Sequence, residues 1–254
     1  MIITIANQKG GVGKTTTALN LSSAISFLGK STLLIDTDPQ AHSTISIVND
    51  PSKYNISLYD VLTNDNYTLK DITVDSTIPG LKIAISKISM AKLESTLLGE
   101  IDSHYKLKDV IDPYKKMYDF IVIDTPPTLG LITLNSLVTA DYLLVPIQSS
   151  YLSLEGTDDL LETVYKVRKI ANPDLKLIGV LITLFDKRTN ISKDVLEKIK
   201  LVFGNKLFNT MISKSVKLEE SPAYKESIFT YAANSVGSIQ YQNLAQEILS
   251  RAKK

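Results

Sequence analysis

Short runs rich in large apolar residues recur along the chain at 2–6, 31–36, 119–124, 142–147, 177–184 and 207–212, and residues 81–86 alternate like a strand. Runs of this length, rich in Ile, Leu and Val, predict strands buried on both faces, as in a parallel sheet. The stretches between them change period. Apolar positions recur every three or four residues over 17–25, 58–62, 90–98, 105–111, 130–140, 153–171, 192–203 and 237–251, the spacing of helices with one buried side. Gly29 is placed to end the first helix, Ser153 to cap the start of the sixth, and Asn172-Pro173 to end it. The last helix shows Ile239, Leu244, Ile248 and Leu249 as its apolar side. Residues 41–55 are polar and weakly patterned, which predicts a switch-like loop with a short helical turn. Residues 56–118 are the least informative part. Strand and helix in alternation predict an α/β fold with a doubly wound, mostly parallel sheet flanked by helices.

Composition narrows the class. With 254 residues, 44% of them hydrophobic, the chain can bury a full core. It has no Pro/Gly/Ser-rich linker, charge block or repeat, so one domain over 1–254 is expected. The absence of cysteine excludes disulfides, thiolate metal sites and iron–sulfur clusters. No apolar run approaches membrane-spanning length, and the first strand begins without a basic leader, so a cytoplasmic protein is expected. The net charge of +1 conceals an asymmetry: residues 1–165 carry 12 Lys/Arg against 19 Asp/Glu, whereas 166–254 carry 16 against 8. A basic C-terminal third points to an anionic partner on one face.

Between the first strand and the first helix lies Lys9-Gly10-Gly11-Val12-Gly13-Lys14-Thr15-Thr16. Strand, glycine loop and helix form the context of a phosphate-binding loop. The glycines let backbone N–H groups turn toward an anion, and the helix adds its positive end. In that geometry Lys14 reaches the β- and γ-phosphates and the Thr15 hydroxyl ligates Mg²⁺. The run at 119–124 ends in Asp124, the form of an acid that holds the metal's water shell. The run at 31–36 ends in Asp36, followed by Asp38; these carboxylates are expected beside the glycine loop, at the end of a strand neighbouring its own.

Gln8 stands where the general phosphate-loop pattern has its first glycine, and a second lysine, Lys9, stands at the front. The resulting K-G-G-x-G-K-T resembles the deviant loop of the ParA/MinD family of P-loop NTPases. Asp36-Thr37-Asp38-Pro39-Gln40-Ala41-His42-Ser43-Thr44 resembles a segment of its ParA/Soj branch, as does Asp124-Thr125-Pro126-Pro127. The resemblance implies that Lys9 reaches a partner subunit's nucleotide, that Asp38 orients the attacking water, and that Asp36 supports the Mg²⁺ shell. It places an adenine-contacting loop near Ser213, Lys214 and Ser215, and DNA-contacting residues at Arg188, Lys214 and Lys217. The two lysines stand where arginines are usual, so they keep the charge without a bidentate grip.

The function so implied is an ATP-dependent partitioning ATPase associated with the nucleoid. Its ATP-bound homodimer holds double-stranded DNA without reading sequence, and a ParB-type centromere-binding protein stimulates hydrolysis. A MinD-like regulator cycling on a membrane is the alternative, although the tail after Leu249 is short for a separate membrane helix. A family ATPase that positions another cargo is a second alternative.

Overall fold

The structure, a computed structural model, describes residues 1–150 and 157–252. The strands are β1 (Ile2–Ile5), β2 (Thr32–Asp36), β3 (Thr73–Asp75), β4 (Leu81–Ala84), β5 (Phe120–Asp124), β6 (Tyr142–Gln148), β7 (Lys176–Phe185) and β8 (Leu207–Ser213). They form one sheet in the order β3-β4-β2-β5-β1-β6-β7-β8, in which only β3 runs antiparallel. The α/β class and the mostly parallel sheet therefore match the expectation. Every residue of β1, β2 and β5 is buried, which is why these strands read as unbroken apolar runs.

The helices are α1 (Lys14–Phe27), α2 (His42–Ile47), α3 (Leu58–Thr63), α4 (Leu93–Thr96), α5 (Lys106–Ile111), α6 (Leu131–Thr139), α7 (Thr157–Ile170), α8 (Asn190–Phe203), α9 (Val216–Glu220), α10 (Ile228–Tyr231) and α11 (Val236–Arg251). Helix α1 is buried all round from Thr17 to Ser26, between the sheet and α11. It ends where Gly29 takes φ 76°, and the Lys30 N–H folds back onto the Ile25 carbonyl.

Several expectations change. Strand β5 lies between β1 and β2, so the acidic strand 31–36 is not a direct neighbour of the glycine-loop strand. Residues 41–55 hold a true helix, α2, and a 3₁₀ turn at Pro51–Lys53. The 90–98 helix shortens to a 3₁₀ turn at Ile88–Lys92 followed by α4. Ile239 faces outward on α11, and Tyr241 and Ala245 join Leu244 and Ile248 on its buried side. The proposed cap at Ser153 lies outside the described residues.

Strand β8 ends the sheet, and α11 covers its free edge. The Glu247 carboxylate accepts the N–H groups of Asn209 at 2.9 Å and Thr210 at 3.1 Å, and Gln240 accepts that of Ser213 at 2.9 Å. Arg251 donates to the carbonyls of Ile178, Lys206 and Leu207 and pairs with Glu247 at 2.9 Å. An edge so occupied cannot template another strand. Glu247→Ala should cost about 2 kcal/mol in urea unfolding, the scale of losing hydrogen bonds to a charged group. Burial alone would raise the Glu247 pKa, but the two N–H groups and Arg251 outweigh it and hold it low. Its contribution is therefore present at neutral pH and lost as pH falls through that lowered value. The stability gap between wild type and variant should close in acid.

Candidate active site

The glycine loop leaves β1 with Gly11 at φ 73° and Gly13 at φ 82°, conformations that an added Cβ would strain. Neighbouring elements fix the loop. Asn7 accepts the Lys9 N–H at 2.9 Å and donates to the Pro146 carbonyl at 2.8 Å. The Thr183 hydroxyl donates to the Val12 carbonyl at 2.8 Å. The front of the loop is joined to α7, where Gln8 Nε2 donates to Asp159 at 3.0 Å. Lys14 is 7% exposed, and its ammonium donates to the Lys9 carbonyl at 2.9 Å, across the mouth of the loop. Burial lowers its pKa, while the charges of Asp124 and Asp38 act in the opposite sense.

The parallel register sets Asp36 directly beside Asp124, and Asp124 beside Ile5, the last residue before the loop turns away. Both carboxyls are fully buried. Asp36 Oδ2 accepts the N–H and the hydroxyl of Thr44, each at 2.8 Å, and Oδ1 accepts the Asp38 N–H at 3.1 Å. Asp124 Oδ2 accepts the Ser43 hydroxyl at 2.8 Å. Both oxygens of Asp36 are thus taken, whereas among the described residues Asp124 Oδ1 is buried with no hydrogen-bond partner.

Burial raises both carboxyl pKa values. The Asp124 charge adds to this at Asp36, and at Asp124 the Ser43 and Thr15 hydroxyls oppose it while the Asp38 charge reinforces it. Two adjacent carboxylates sealed from water repel each other, and a hydrated divalent cation relieves that repulsion. An orphaned acid oxygen beside the Thr15 end of the loop is the donor set that Mg²⁺ uses when phosphates and water complete its shell.

Asp38 is 7% exposed. Its Oδ1 accepts the Gln40 N–H at 2.9 Å, and its carbonyl takes the Ser86 hydroxyl at 2.8 Å. The chain then passes through Ala41 at φ 53° into α2. Sequence reasoning assigned no role to Ser43, Thr44, Ser86 or Thr183. Ser43 and Thr44 lie within the segment that carries the resemblance, and their signal is the hydroxyl pair following Asp-Pro-Gln.

A cavity of about 270 Å³ opens on the other side of the loop, lined by Gly13, Thr16, Leu184, Ser213, Ser215, Pro222 and others. The fold therefore brings Ser213 and Ser215 to the loop. Lys214 is absent from this lining and faces a broader groove with Arg188 and Lys217. In that groove Arg188 forms a bidentate pair with Asp186 at 2.9 and 2.7 Å, and Lys217 pairs with Glu220 at 3.1 Å. The Arg188 side chain remains 83% exposed. Lys9 is half-buried at the loop front.

Comparison with known proteins agrees with this geometry. A family model described as an AAA domain matches residues 1–177. The chain is 39% identical to the sporulation initiation inhibitor protein Soj of Bacillus subtilis, over 97% of each chain. It is 36% identical to the chromosome partitioning protein ParA of Myxococcus xanthus, over 98% of this chain and 88% of that one. Among solved structures, one described as cobyrinic acid a,c-diamide synthase from Mycobacterium smegmatis, with bound ADP and magnesium, is 33% identical. It superposes with a TM-score of 0.87 and covers 100% of this chain and 95% of its own.

Proposed function

This chain belongs to the ParA/Soj family of partitioning ATPases, and from that premise we propose that it uses ATP to hold and release DNA during segregation. Its reaction is the hydrolysis of ATP to ADP and phosphate with Mg²⁺ as cofactor. The observation that carries the reading is the buried Lys14 ammonium in a glycine loop near paired carboxylates, of which one buried oxygen, beside Thr15, makes no hydrogen bond among the described residues. The ADP and magnesium bound by the M. smegmatis protein support it.

In this reading the loop amides of Gly10, Gly11, Val12, Gly13, Lys14, Thr15 and Thr16 cradle the phosphates, and Lys14 leaves the Lys9 carbonyl for a phosphate oxygen. Thr15 and Asp124 would hold Mg²⁺, with Asp36 supporting its water shell, and the bound metal would supply positive charge to offset that of the phosphates. Asp38 orients the attacking water. The base lies in the cavity walled by Ser213 and Ser215. Lys9 reaches the nucleotide of a second copy, so ATP becomes part of a dimer interface and hydrolysis removes part of that interface.

The dimer then doubles the basic surface formed by Arg188, Lys214 and Lys217. With about three phosphate contacts per subunit, the salt slope of DNA binding should be about −5 for a dimer and about −3 for a monomer, from about −0.9 per contact. Such contacts carry no sequence information. By family likeness, a ParB-type centromere-binding protein would stimulate hydrolysis, and the ATP form would sit on the nucleoid. Among the described residues no helix is long and apolar enough to cross a membrane.

The test is retention on DNA with no nucleotide, ADP or ATP across a salt series, comparing wild type with Arg188→Glu. Wild type should bind with ATP alone. The variant should still dimerise with ATP yet lose at least about tenfold in DNA affinity, because one contact per subunit is replaced by repulsion. Equal retention of both proteins would place the DNA surface elsewhere.

A further inference from the structure

Among the described residues only three that are not glycine take positive φ: Ala41, Leu184 and Lys225. Ala41 opens α2, and Leu184 lines the base cavity. Lys225, at φ 59°, lies between the two regions, in the turn after Pro222. Left-handed backbone without glycine is unfavourable and persists where surrounding contacts enforce it. The contacts at Lys225 are specific. Its ammonium donates to the Ile45 carbonyl of α2. Its own carbonyl accepts the Thr77 hydroxyl, and the Thr77 N–H donates to the Ile47 carbonyl at 2.8 Å.

Carbonyls in the last turn of a helix have no partner within it, and a cation there also complements the helix dipole. Lys225 and Thr77 together close the C-terminal end of α2. The opposite end of the same six-residue helix supplies Ser43 to Asp124 and Thr44 to Asp36. The turn holding Lys225 is tied to the base cavity in turn, since the Lys225 N–H donates to the carbonyl of Pro222, a cavity residue. A continuous chain of contacts thus runs from the base wall through Lys225 and α2 to the two buried acids.

We infer that Lys225 is a positioning residue, which sets α2 so that Ser43 and Thr44 hold Asp124 and Asp36 in register for the metal, and ties that setting to the base cavity. The inference rests on the ATPase reading above. The described contacts of Lys225 are with Ile45, Thr77 and Pro222 and not with the phosphate loop or the acids themselves, so its removal affects how the acids are presented and leaves the loop intact.

The test compares wild type, Lys225→Gly and Lys225→Arg. Glycine removes the ammonium and accepts φ 59° without strain, so this variant should fold at least as well as one bearing alanine. Lys225→Gly should raise the Mg²⁺ concentration for half-maximal ATPase about three- to tenfold. That is less than the 10- to 100-fold typical of groups that touch a ligand directly. Its kcat should fall by a similar factor, while affinity for a fluorescent ATP analogue without Mg²⁺ stays at the wild-type value. Lys225→Arg, which still reaches the Ile45 carbonyl with a charged donor, should restore both quantities.

Thr77→Val, which removes the hydroxyl on the Lys225 carbonyl, should shift the Mg²⁺ midpoint in the same direction. Lys225→Met, which keeps the aliphatic stem, replaces the glycine variant if that one does not fold. A lowered melting temperature with unchanged Mg²⁺ midpoint and kcat would make Lys225 a structural tie only and overturn the inference. Absence of any ATPase activity in wild type would instead overturn the reading on which it rests.

Discussion

Replacing Lys14 with alanine should abolish measurable ATP binding while leaving the protein folded. The ammonium of Lys14 is the buried cation at the helix end of the loop, and it is already drawn out of water. A lysine held this way has lost hydration that it would otherwise give up on binding, and it can transfer its hydrogen bonds from the Lys9 carbonyl to phosphate. Hydrogen bonds to charged groups are worth about 1.5–3 kcal/mol each. Losing two of them at a triphosphate weakens binding by about 10²- to 10⁴-fold. The charge balance adds to the loss. Asp36, Asp38 and Asp124 surround the phosphate site, and without Lys14 an incoming triphosphate meets three acids and no neighbouring cation from the loop's helix end. Titration calorimetry with Mg-ATP should show no binding heat at micromolar protein, and circular dichroism should show the wild-type fold. A wild-type binding isotherm would remove the loop from the nucleotide site.

The phosphate loop could be read in the sequence because its chemistry is local. Gly11 and Gly13 sit at positions that demand positive φ, and the flanking runs distinguish a buried strand from a helix without reference to the rest of the chain. Asp36 and Asp124 could be singled out as acids ending buried strands. Their adjacency could not, because strand order is a property of crossovers, and nothing in residues 31–36 or 119–124 states that β5 inserts between β1 and β2. The edge strand β3 is only three residues long and half-exposed, too short to show a period.

Helix α2 was legible only as a short helical turn, for a related reason. Both its ends are tied to residues distant in sequence, Asp36 and Asp124 at one and Thr77 and Lys225 at the other, contacts that no local pattern records. The positive φ of Ala41, Leu184 and Lys225 had no signal at all, since none is the residue type that such backbone selects. The basic C-terminal third was visible as composition. Its distribution over the groove, with Arg188 and Lys217 each paired to an acid, needed the fold.

Asp38→Ala should separate binding from turnover. Among the described residues the Asp38 carboxylate accepts one hydrogen bond, from the Gln40 N–H at the turn, while the Lys14 ammonium donates to the Lys9 carbonyl instead. It nonetheless lies close enough to bias Lys14 and Asp124 electrostatically. Removing it deletes one negative charge from the site. Asp124 then ionises more readily, since Asp38 is among the charges that raise its pKa, and the metal pair is at least as well prepared as before. Mg-ATP affinity should therefore hold or improve, and ATP-dependent dimerisation should persist.

On the proposed reading, what is lost is the group that orients the attacking water, a role worth about 10²- to 10⁴-fold in rate. Single-turnover phosphate release should slow by at least about a hundredfold, while sedimentation with ATP still reports the dimer. Asp38→Asn is the informative control. Its amide oxygen can keep the Gln40 turn, so a comparably slow variant would assign the loss to the carboxylate rather than to the loop. Turnover at the wild-type rate in either variant would remove Asp38 from the reaction. The attacking water would then have to be ordered by backbone groups or by the second subunit.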